Sequence, residues 1–538
     1  MRHDDNPDSQ ERLLPFLLNP NCYPHRPRRV RLVQTHSSFV FIAPPFVYKV
    51  KKAVNFGFLD FSTLEKRRHF CEREVMLNRR LSPKTYLGVV PVARRNGGFS
   101  FDGPGPPVEY AVKMRKLSDR YFLDRLVARN DVTVKDLKRI AATLKSFYEA
   151  QHPTQEIEDW GRIDRLKIST DENFRQTEVF TGKTISRPAF DAIRSYTNRF
   201  YMRHKRLFVS RIRERRIRDC HGDLHLEHIH LTPRALRIYD CIEFNDRFRY
   251  VDVANDVAFL AMDLDYEGRP DLARKFVARM SACLGDPGML RLIDFYKCYR
   301  AYVRGKVESL HSVAAAAPDE ERQASAGRAR RYFQLALQYA VAGSRPVVFV
   351  LMGRSASGKS TLAQALGAKL GWKVFSSDYL RKKMAGFPLY ERSSAAARKR
   401  LYARAMTRQT YVRLLALAEA QIKTGHCVIL DATFARRAHR NLLANRFGRR
   451  GIAWQFVEAR ATNPAVKRRL RARESRHEEV SDARLGDYEM LNRQYEPPVE
   501  VDSTRCLKVR TAGPLVRIVT GTLRSLIRRQ MDSPCPTL

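Results

Sequence analysis

The chain has 538 residues, of which 44% are hydrophobic, and it carries a formal net charge of +42. A chain of this length is too long to fold around a single hydrophobic core, so we expect two or three globular domains. Its apolar content excludes a wholly disordered protein. No apolar run reaches the about 18 residues that span a bilayer, and the polar start MRHDDNPDSQER excludes a signal or transit peptide, so we expect a cytoplasmic protein without a membrane partner.

The positive charge is concentrated toward the C-terminus, where residues 346–538 carry +22 of the total. Such a charge attracts RNA, DNA or phosphorylated metabolites. The arginines are spread along the chain rather than clustered in contiguous runs, which favours a solvated basic surface over a nucleic-acid partner. The nine cysteines form no C-x-x-C pair, so they predict reduced thiols rather than a zinc site or disulfides.

The first 30 residues are predicted as an N-terminal extension with a short helix over 11–18. Three β-rich runs follow over 30–52, with a turn at Ala43-Pro44-Pro45. A helical pattern covers 64–81, and further strand-like runs lie at 88–93 and 108–114. The chain up to residue 115 is therefore predicted to be a small, mainly β lobe with one helix.

Helical patterning dominates from Leu117 to Arg215 and resumes after a polar stretch at 220–256. We place a domain boundary at Gly343-Ser344-Arg345-Pro346, before the next strand-like run. The predicted organisation is an extension, an α+β domain, an α/β domain and a disordered tail, over 1–30, 31–343, 344–528 and 529–538.

The polar stretch CHGDLHLEHIHL, residues 220–231, is the densest cluster of chemistry-bearing side chains in the first domain. Asp223 lies in its His-Gly-Asp motif, and Asp240 follows 17 residues later, after an apolar pair. His225, His228 and His230 alternate along the chain. Packing in the loop is the simpler interpretation of these histidines, and a zinc cluster is the alternative.

His-Gly-Asp in a strand-flanked loop, with a second aspartate at this distance, resembles the aminoglycoside phosphotransferase and choline kinase families. That resemblance implies a bilobal, protein-kinase-like α+β fold. It also implies that Asp223 orients or deprotonates an acceptor hydroxyl and that Asp240 holds Mg²⁺. Upstream, it implies that Lys49 (or Lys51, on the same strand face) contacts the nucleotide phosphates, paired with Glu74 (or, less favoured, Glu72).

One position departs from those families, which usually have asparagine five residues after the His-Gly-Asp aspartate. His228 stands there, and we assign it as a candidate metal ligand. Imidazole suits softer ions than Mg²⁺. Either the metal binding of this domain is altered, therefore, or its catalysis is weakened or lost. A glycine-rich phosphate loop is also missing from residues 35–42.

The second domain opens with VVFVLMGRSASGKSTLAQAL, residues 347–366, which fits G-x-x-x-x-G-K-[ST] at every fixed position. In this motif, backbone N–H groups wrap a nucleotide's phosphates, the lysine reaches the β- and γ-phosphates, and the next hydroxyl ligates Mg²⁺. We therefore predict an ATP and Mg²⁺ site, with Lys359 at the transferring phosphate and Ser360 on the metal. The predicted nucleotide-binding residues are Gly353, Arg354, Ser355, Ala356, Ser357, Gly358, Lys359, Ser360 and Thr361.

Strand-like runs alternate with helices through this domain, as in a parallel α/β sheet, at 347–352, 373–375, 427–430 and 453–458. Asp431 ends the run HCVILD, where an acid following a buried strand ligates Mg²⁺ directly or through water. It lies at the carboxyl edge of the predicted sheet, where ligands bind in open α/β folds.

The second domain resembles small P-loop kinases such as gluconate, shikimate and polynucleotide kinases. The resemblance implies that Asp378 meets the acceptor hydroxyl, although it is alternatively the N-cap of a helix starting at Tyr379. It implies that Arg381 binds substrate and that Arg469 and Arg473, on one face of a helix, close over the nucleotide. A merely exposed basic helix is the alternative for these two arginines.

Together with the phrase DCIEFNDRFRYVDVANDVAFLAMDL, the domain order resembles bacterial proteins that fuse an aminoglycoside phosphotransferase-like domain to an AAA-type P-loop domain. The resulting hypothesis is an ATP- and Mg²⁺-dependent phosphotransferase with two nucleotide-binding domains and a small hydroxylated acceptor. One alternative is that the first domain is a regulatory pseudokinase. The other is a nucleic-acid-associated ATPase or polynucleotide end-kinase. The acceptor and the oligomeric state stay open.

Overall fold

The computed structural model describes residue 10 and residues 12–95, 98–101, 105–315, 317–474 and 480–532. The chain divides into two compact units. The first combines Met1–Ile168 with Lys205–Ile293, and the second combines Ser169–His204 with Asp294–Leu538. These units cut across the predicted boundary at residue 344, so the domain limits drawn from the sequence stay a prediction.

The first unit contains a six-stranded antiparallel sheet in the order β1-β2-β3-β6-β4-β5. Its strands are β1 (Arg31–Gln34), β2 (Ser38–Ala43), β3 (Phe46–Lys51), β4 (Tyr86–Arg95), β5 (Gly98–Phe101) and β6 (Pro107–Arg115). Side chains alternate along β3, so Tyr48 and Val50 enter an apolar core on one face while Lys49 and Lys51 share the other. The predicted β lobe is confirmed.

The N-terminal helix α1 (Leu13–Leu18) belongs to the core of this lobe. Leu13, Leu17 and Tyr23 are buried in one cluster with Phe41 and Tyr48. The described part of the segment predicted as an extension therefore packs as an integral element, because its apolar face covers one face of the sheet.

Helix α2 (Leu64–Arg79) packs against β4 and β6 and begins at Thr63, whose hydroxyl accepts a hydrogen bond from the Lys66 amide. Two antiparallel ribbons, β7 (Ile217–Asp219) with β10 (Tyr250–Asp252) and β8 (Ile229–Leu231) with β9 (Leu236–Ile238), hold the polar loops. The next helices are α3 (Leu123–Ala128), α4 (Val134–Ala150), α5 (Gln155–Asp159), α6 (Ile163–Thr177, which ends in the second unit), α7 (Arg187–Arg203, in the second unit), α8 (Lys205–Arg213), α9 (Val253–Tyr266) and α10 (Pro270–Cys283).

The second unit contains a five-stranded parallel sheet in the order β12-β13-β11-β14-β15. Its strands are β11 (Val347–Met352), β12 (Lys373–Ser376), β13 (Val428–Asp431), β14 (Ala453–Arg460) and β15 (Cys506–Arg510). The predicted parallel α/β fold is confirmed. The prediction missed β15, since this edge strand is short and its exposed positions carry Lys508 and Arg510, which mask the apolar pattern.

The remaining helices lie in the second unit. They are α11 (Ile293–His311, whose first residue belongs to the first unit), α12 (Asp319–Ala342), α13 (Lys359–Leu370), α14 (Ser377–Met384), α15 (Ala395–Leu401), α16 (Arg404–Lys423), α17 (Arg437–Gly448), α18 (Asn463–Glu474), α19 (Tyr488–Arg493) and α20 (Leu515–Asp532). A core of buried apolar residues joins β11, β13 and β14 to α16 and α17.

Helix α20 corrects the predicted disordered tail, which was expected to start at residue 529. The helix continues to Asp532, and Arg529 donates hydrogen bonds to the carbonyls of Ser503, Thr504 and Cys506, which hold this last turn on the domain. The remainder of the predicted tail, 533–538, lies outside the described residues. Within the part of the chain that is described, no helix is both long and apolar enough to cross a membrane.

Candidate functional site

The loop between β11 and α13 has a backbone that requires glycine at both ends. Gly353 has φ of +139°, and a Cβ there would lie 2.5 Å from the Ala459 carbonyl oxygen. Gly358 has φ of +91° and forms the N-cap of α13. Because side chains disfavour positive φ, the two glycines of the motif are demanded by the turn itself.

The residues predicted to bind the phosphates and the metal ion lie together at the N-terminus of α13. Lys359 is the first residue of the helix and is 7% exposed, and Ser360 follows it. Asp431 ends β13 in register with Leu351 and is 3% exposed. Burial raises the pKa of Asp431, although Lys359 and a hydrogen bond from Ser360 act in the opposite direction.

Among the described residues, Asp431 Oδ1 has no hydrogen-bond partner despite its burial. Buried carboxylate oxygens are normally satisfied, so this one marks a place for a cation or a ligand. Oxygen donors from a hydroxyl and a carboxylate are the ligands that Mg²⁺ prefers. The residues present therefore fit the predicted Mg²⁺ site.

The other loop residues divide between packing and exposure. Arg354 donates to Asn463, Asn492 and the Ala461 carbonyl, with distances of 2.7–2.8 Å. Ser357 Oγ is buried and lacks a partner within the described residues. The remaining three differ in exposure, with Ala356 buried, Ser355 half-buried and Thr361 exposed.

Asp378 lies in the first turn of α14 rather than at its N-cap, which is Ser376. The alternative of an N-cap aspartate is therefore wrong. Arg381 Nη1 lies 3.5 Å from Asp378 Oδ1, and the Arg381 guanidinium stacks over the Tyr402 ring at 4.4 Å. Asp378 contributes to the raised pKa of Asp431, which places the two carboxylates in one electrostatic environment at the carboxyl edge of the sheet.

The two predicted lid arginines on α18 have different surroundings. Arg469 donates to the carbonyl of Thr511 at 2.6 Å and to the carbonyl of Ala356 at 3.3 Å. Thr511 Oγ1 in turn donates to the Ser357 carbonyl at 2.5 Å. Arg473 lies close enough to Asp431 to lower its pKa. Arg469 therefore holds the phosphate loop directly, through the Ala356 carbonyl, and indirectly, through Thr511. The predicted roles of both arginines at the nucleotide stay predictions.

In the first unit, two lysines of β3 share one carboxylate of α2. Lys49 Nζ lies 3.0 Å from Glu74 Oε1 and 2.7 Å from Asp240 Oδ1. Lys51 Nζ lies 2.8 Å from Glu74 Oε2 and also pairs with Glu243. Burial opposes the charged forms, but Asp240 and Glu74 raise the pKa of Lys49 above its usual range. The predicted Lys49, Glu74 and Asp240 are thus brought together.

Glu72 and Lys51 were the alternatives for the ion pair. Glu72 pairs with Arg68 on the exposed side of α2, at 2.9 Å. Lys51 is fully buried between two acids, whereas Lys49 retains some exposure and reaches Asp240. Glu243 was missed by sequence reasoning, since a glutamate three residues past Asp240 follows no spacing rule that would mark it.

The His-Gly-Asp loop is held by a residue that the sequence did not single out. The amides of His221 and Gly222 donate to the two carboxylate oxygens of Asp256, on α9, at 3.0 and 2.9 Å. Tyr148 also donates to Asp256, at 2.9 Å. Gly222 has φ of +84°, and a Cβ there would lie 2.8 Å from the Phe248 carbonyl oxygen. This framework presents Asp223 at the end of the turn.

His228 lies between the two aspartates. Its Nδ1 is 2.9 Å from the Asp223 carbonyl oxygen and 3.5 Å from Asp223 Oδ2, and its Nε2 is 3.4 Å from Asp240 Oδ2. Burial lowers the pKa of His228, and His225 adds to the effect, although Asp223 and Asp240 act in the opposite direction. The residue at which the sequence departs from the resembling families thus lies within 3.5 Å of both predicted acids.

Comparison with known proteins finds a sequence-family match in the C-terminal part of the chain and several similar solved structures. A sequence family described as the AAA domain matches residues 348–498. Among solved structures, a gluconokinase from Sinorhizobium meliloti 1021 is 19% identical, covers 35% of this chain and 97% of its own, and has a TM-score of 0.24. A choline kinase from Cryptosporidium parvum Iowa II is 11% identical, covers 61% of this chain and 95% of its own, and has a TM-score of 0.35. The fold assignment rests on the strand order and pairing of the two sheets.

Three relatives match across most of the chain. They are uncharacterized proteins of Mycobacterium bovis and Mycobacterium tuberculosis, each 31% identical over 401 residues, which is 74% of this chain and 78% of each relative. The chain therefore belongs to the family of these mycobacterial proteins.

Proposed function

We propose that this protein is an ATP- and Mg²⁺-dependent phosphotransferase that acts on a small hydroxylated acceptor. The observation that carries the proposal is the unpartnered, buried carboxylate oxygen of Asp431 beside Lys359 and Ser360. A buried carboxylate oxygen without a hydrogen-bond partner is costly, and such groups persist where a ligand satisfies them. A Mg²⁺ ion with a nucleotide's phosphates would do so here.

In the P-loop domain, the amides from Gly353 to Gly358 would hold the phosphates and Lys359 would stabilise charge on the transferring group. Ser360 and Asp431 would hold Mg²⁺. Asp378 would receive or orient the acceptor hydroxyl, since it lies at the same sheet edge. Arg381, which is buried beside Asp378, would bind the acceptor.

In the first unit, Lys49 and Glu74 would position a second nucleotide, Asp223 would act on an acceptor hydroxyl and Asp240 would take part in metal binding. The alternative is a regulatory pseudokinase. A specific observation favours it, because the Asp240 carboxylate, the predicted metal ligand, is engaged by Lys49 at 2.7 Å. The P-loop domain alone would then catalyse transfer.

The decisive experiment replaces one lysine in the full chain. Lys359→Ala should lower ATP turnover about 10²-fold or more, the cost of removing one preorganised donor at a transferring phosphate. Lys369→Ala, on the same helix, is the matched control and should leave turnover unchanged. Because the first unit would also turn over ATP if it is active, the comparison is repeated with Asp223→Ala in the background, and turnover that survives Lys359→Ala there would overturn the assignment of the loop. Asp223→Ala should leave P-loop turnover intact if the first domain is only regulatory.

Nucleic-acid processing is the second candidate function, favoured by the +22 charge of residues 346–538. It predicts RNA or DNA binding that weakens steeply as salt rises, because binding releases counterions. A kinase for small acceptors predicts little such binding. Turnover assays with RNA ends, aminoglycosides and hydroxylated metabolites, each at two salt concentrations, separate the two.

A further inference from the structure

Arg381 is a buried cation whose hydrogen bonds are incomplete. It lies on α14, is 6% exposed, and its guanidinium lies over the Tyr402 ring at 4.4 Å. Its Nη1 is 3.5 Å from Asp378 Oδ1, which is longer than a normal charge-assisted hydrogen bond. Its Nε is buried and has no hydrogen-bond partner among the described residues. The Tyr402 ring attracts the positive charge, but its face supplies no oxygen acceptor for this N–H group.

Two other buried cations of the second unit show how this fold satisfies such groups. Lys382, the next residue, lies 3.3 Å from Asp482 and donates to two backbone carbonyls. Arg440 pairs with Glu500 and also donates to backbone carbonyls. A buried donor without an acceptor costs free energy, so the incomplete set at Arg381 indicates an acceptor that a ligand supplies.

The surroundings of Arg381 favour an anion as that ligand. The pKa of His439, on α17, is lowered by burial and then by Arg436 and Arg381, although Glu496 acts in the opposite direction. The two arginines therefore outweigh the acid at this end of the sheet, and a positive potential attracts anions. A guanidinium also matches the oxygens of a carboxylate or a phosphate, which neutralise its charge as well as accept its N–H groups.

We propose that the acceptor is itself an anion, a small hydroxylated carboxylate or phosphate monoester, whose charged group binds Arg381 through Nε while its hydroxyl meets Asp378. This inference rests on the proposed function and names the substrate class of that site. Because Arg381 Nη1 lies 3.5 Å from Asp378, the charged group and the hydroxyl are close together in the acceptor. Neutral sugars and cationic aminoglycosides would leave the buried guanidinium without a counter-charge, so they are poor acceptors for this site.

Arg381 selects the acceptor and takes no part in the bond changes. In transfer, the hydroxyl oxygen forms a bond to the γ-phosphorus of ATP, and the bond from that phosphorus to the bridging oxygen of ADP breaks. The hydroxyl proton passes to Asp378. Arg381 keeps its charge throughout, since a guanidinium stays protonated in proteins.

The test measures anion binding by the full chain, saturated with Mg²⁺ and a non-hydrolysable ATP analogue so that the phosphate loop is already filled. Inorganic phosphate and acetate are the probes, each titrated against chloride at constant ionic strength, and the thermal midpoint is the readout. We expect a saturable rise of about 2 °C or more with at least one probe. The probe that binds more tightly identifies the charged group as a phosphate or a carboxylate.

Two variants of α14 should change the anion affinity in opposite directions. Arg381→Gln should abolish the saturable rise. Asp378→Asn should strengthen anion binding about threefold or more, because it removes the negative charge beside the guanidinium. Lys383→Gln, which removes an exposed positive charge from the same helix, is the matched control and should respond as the unaltered chain does.

The absence of a saturable response to both probes would overturn the proposal, as would equal responses of Arg381→Gln and the unaltered chain. Should Arg381→Gln fail to fold, Asp378→Asn decides, since an unchanged or weaker anion affinity of that variant refutes the site. The response to the nucleotide is scored separately. An analogue that raises the midpoint of the unaltered chain no more than that of Lys359→Ala counts against the proposed function, whereas a normal analogue response without an anion response overturns this inference alone.

Discussion

Asp431 is a charged side chain in a place where charge is unfavourable. It lies at the end of a buried strand, and its Oδ1 lacks a partner among the described residues. Burial raises its pKa, so the folded chain binds a proton more tightly there than the unfolded chain does. By linkage, the ionised carboxylate costs stability above the usual carboxyl pKa and costs nothing in acid, where both states are protonated.

Asp431→Asn should therefore stabilise the nucleotide-free chain while abolishing its activity. We expect a gain of about 1 kcal/mol in the free energy of unfolding at neutral pH, which disappears as the pH falls below the usual carboxyl range. Urea unfolding followed by tryptophan fluorescence measures it. The matched control is Asp252→Asn, a buried aspartate paired with Arg211 at 2.7 Å, which should destabilise by about 3–5 kcal/mol. Equal losses for both variants would contradict the argument.

Helix α18 was predicted as a lid, and the structure gives its two arginines unequal environments. Arg469 links Thr511, at the end of β15, to the carbonyl of Ala356 in the phosphate loop. Arg473 is one turn further on and influences Asp431. One helix thus carries both arginines on the same face, since residues four apart are neighbours on a helix surface.

Substitutions along α18 should separate these roles. Arg469→Ala should weaken ATP binding about tenfold, since charge-assisted hydrogen bonds that order the loop contribute about 1.5–3 kcal/mol, with a smaller effect on kcat. Arg473→Ala should lower kcat and leave ATP affinity nearly unchanged. Arg471→Ala, exposed on the same helix, is the control. Equilibrium binding of an ATP analogue measures the affinity of each variant, and steady-state kinetics measures its kcat. Identical effects of the Arg469 and Arg473 substitutions on both quantities would contradict the separate roles.

In the second unit, the P-loop domain packs against helices that precede residue 344 in the chain. Trp372 Nε1 donates to Gln338 on α12 at 2.9 Å, and Gln334 donates to the Ala368 carbonyl on α13 at 3.2 Å. Helix α20 packs against both α7 and α12. These contacts come from α12, which ends just before residue 344, and from α7, which lies far upstream, so the folding unit is larger than the sequence domain.

A fragment of residues 344–538 should consequently be unstable. It loses α7 and α12, which cover apolar side chains worth about 1.5–3 kcal/mol each when buried. We expect aggregation, or a thermal midpoint about 10 °C below the ATP-stabilised transition of the full chain. A fragment starting at residue 294, which restores α11 and α12, is the control and should be more stable. Equal midpoints for the short fragment and the full chain would show that the upstream helices are dispensable.

Local patterns anticipated much of the site. The residues from Gly353 to Thr361 are contiguous, so their spacing alone implies a glycine-bounded loop and a helix start. Alternation along β3 placed Lys49 and Lys51 on one face, since the side-chain period of a strand is two. The alternating strands and helices of the second domain likewise implied a parallel sheet.

Other parts of the site depend on residues that only folding brings together. Asp256 holds the His-Gly-Asp turn from 34 residues away, Glu243 reaches Lys51 across 192, and Thr511 reaches Ser357 across 154. The approach of Asp240 to Lys49, across 191 residues, is of the same kind. Each of these side chains obeys no spacing rule, because its position is set by how separate elements pack rather than by the backbone geometry of neighbouring residues.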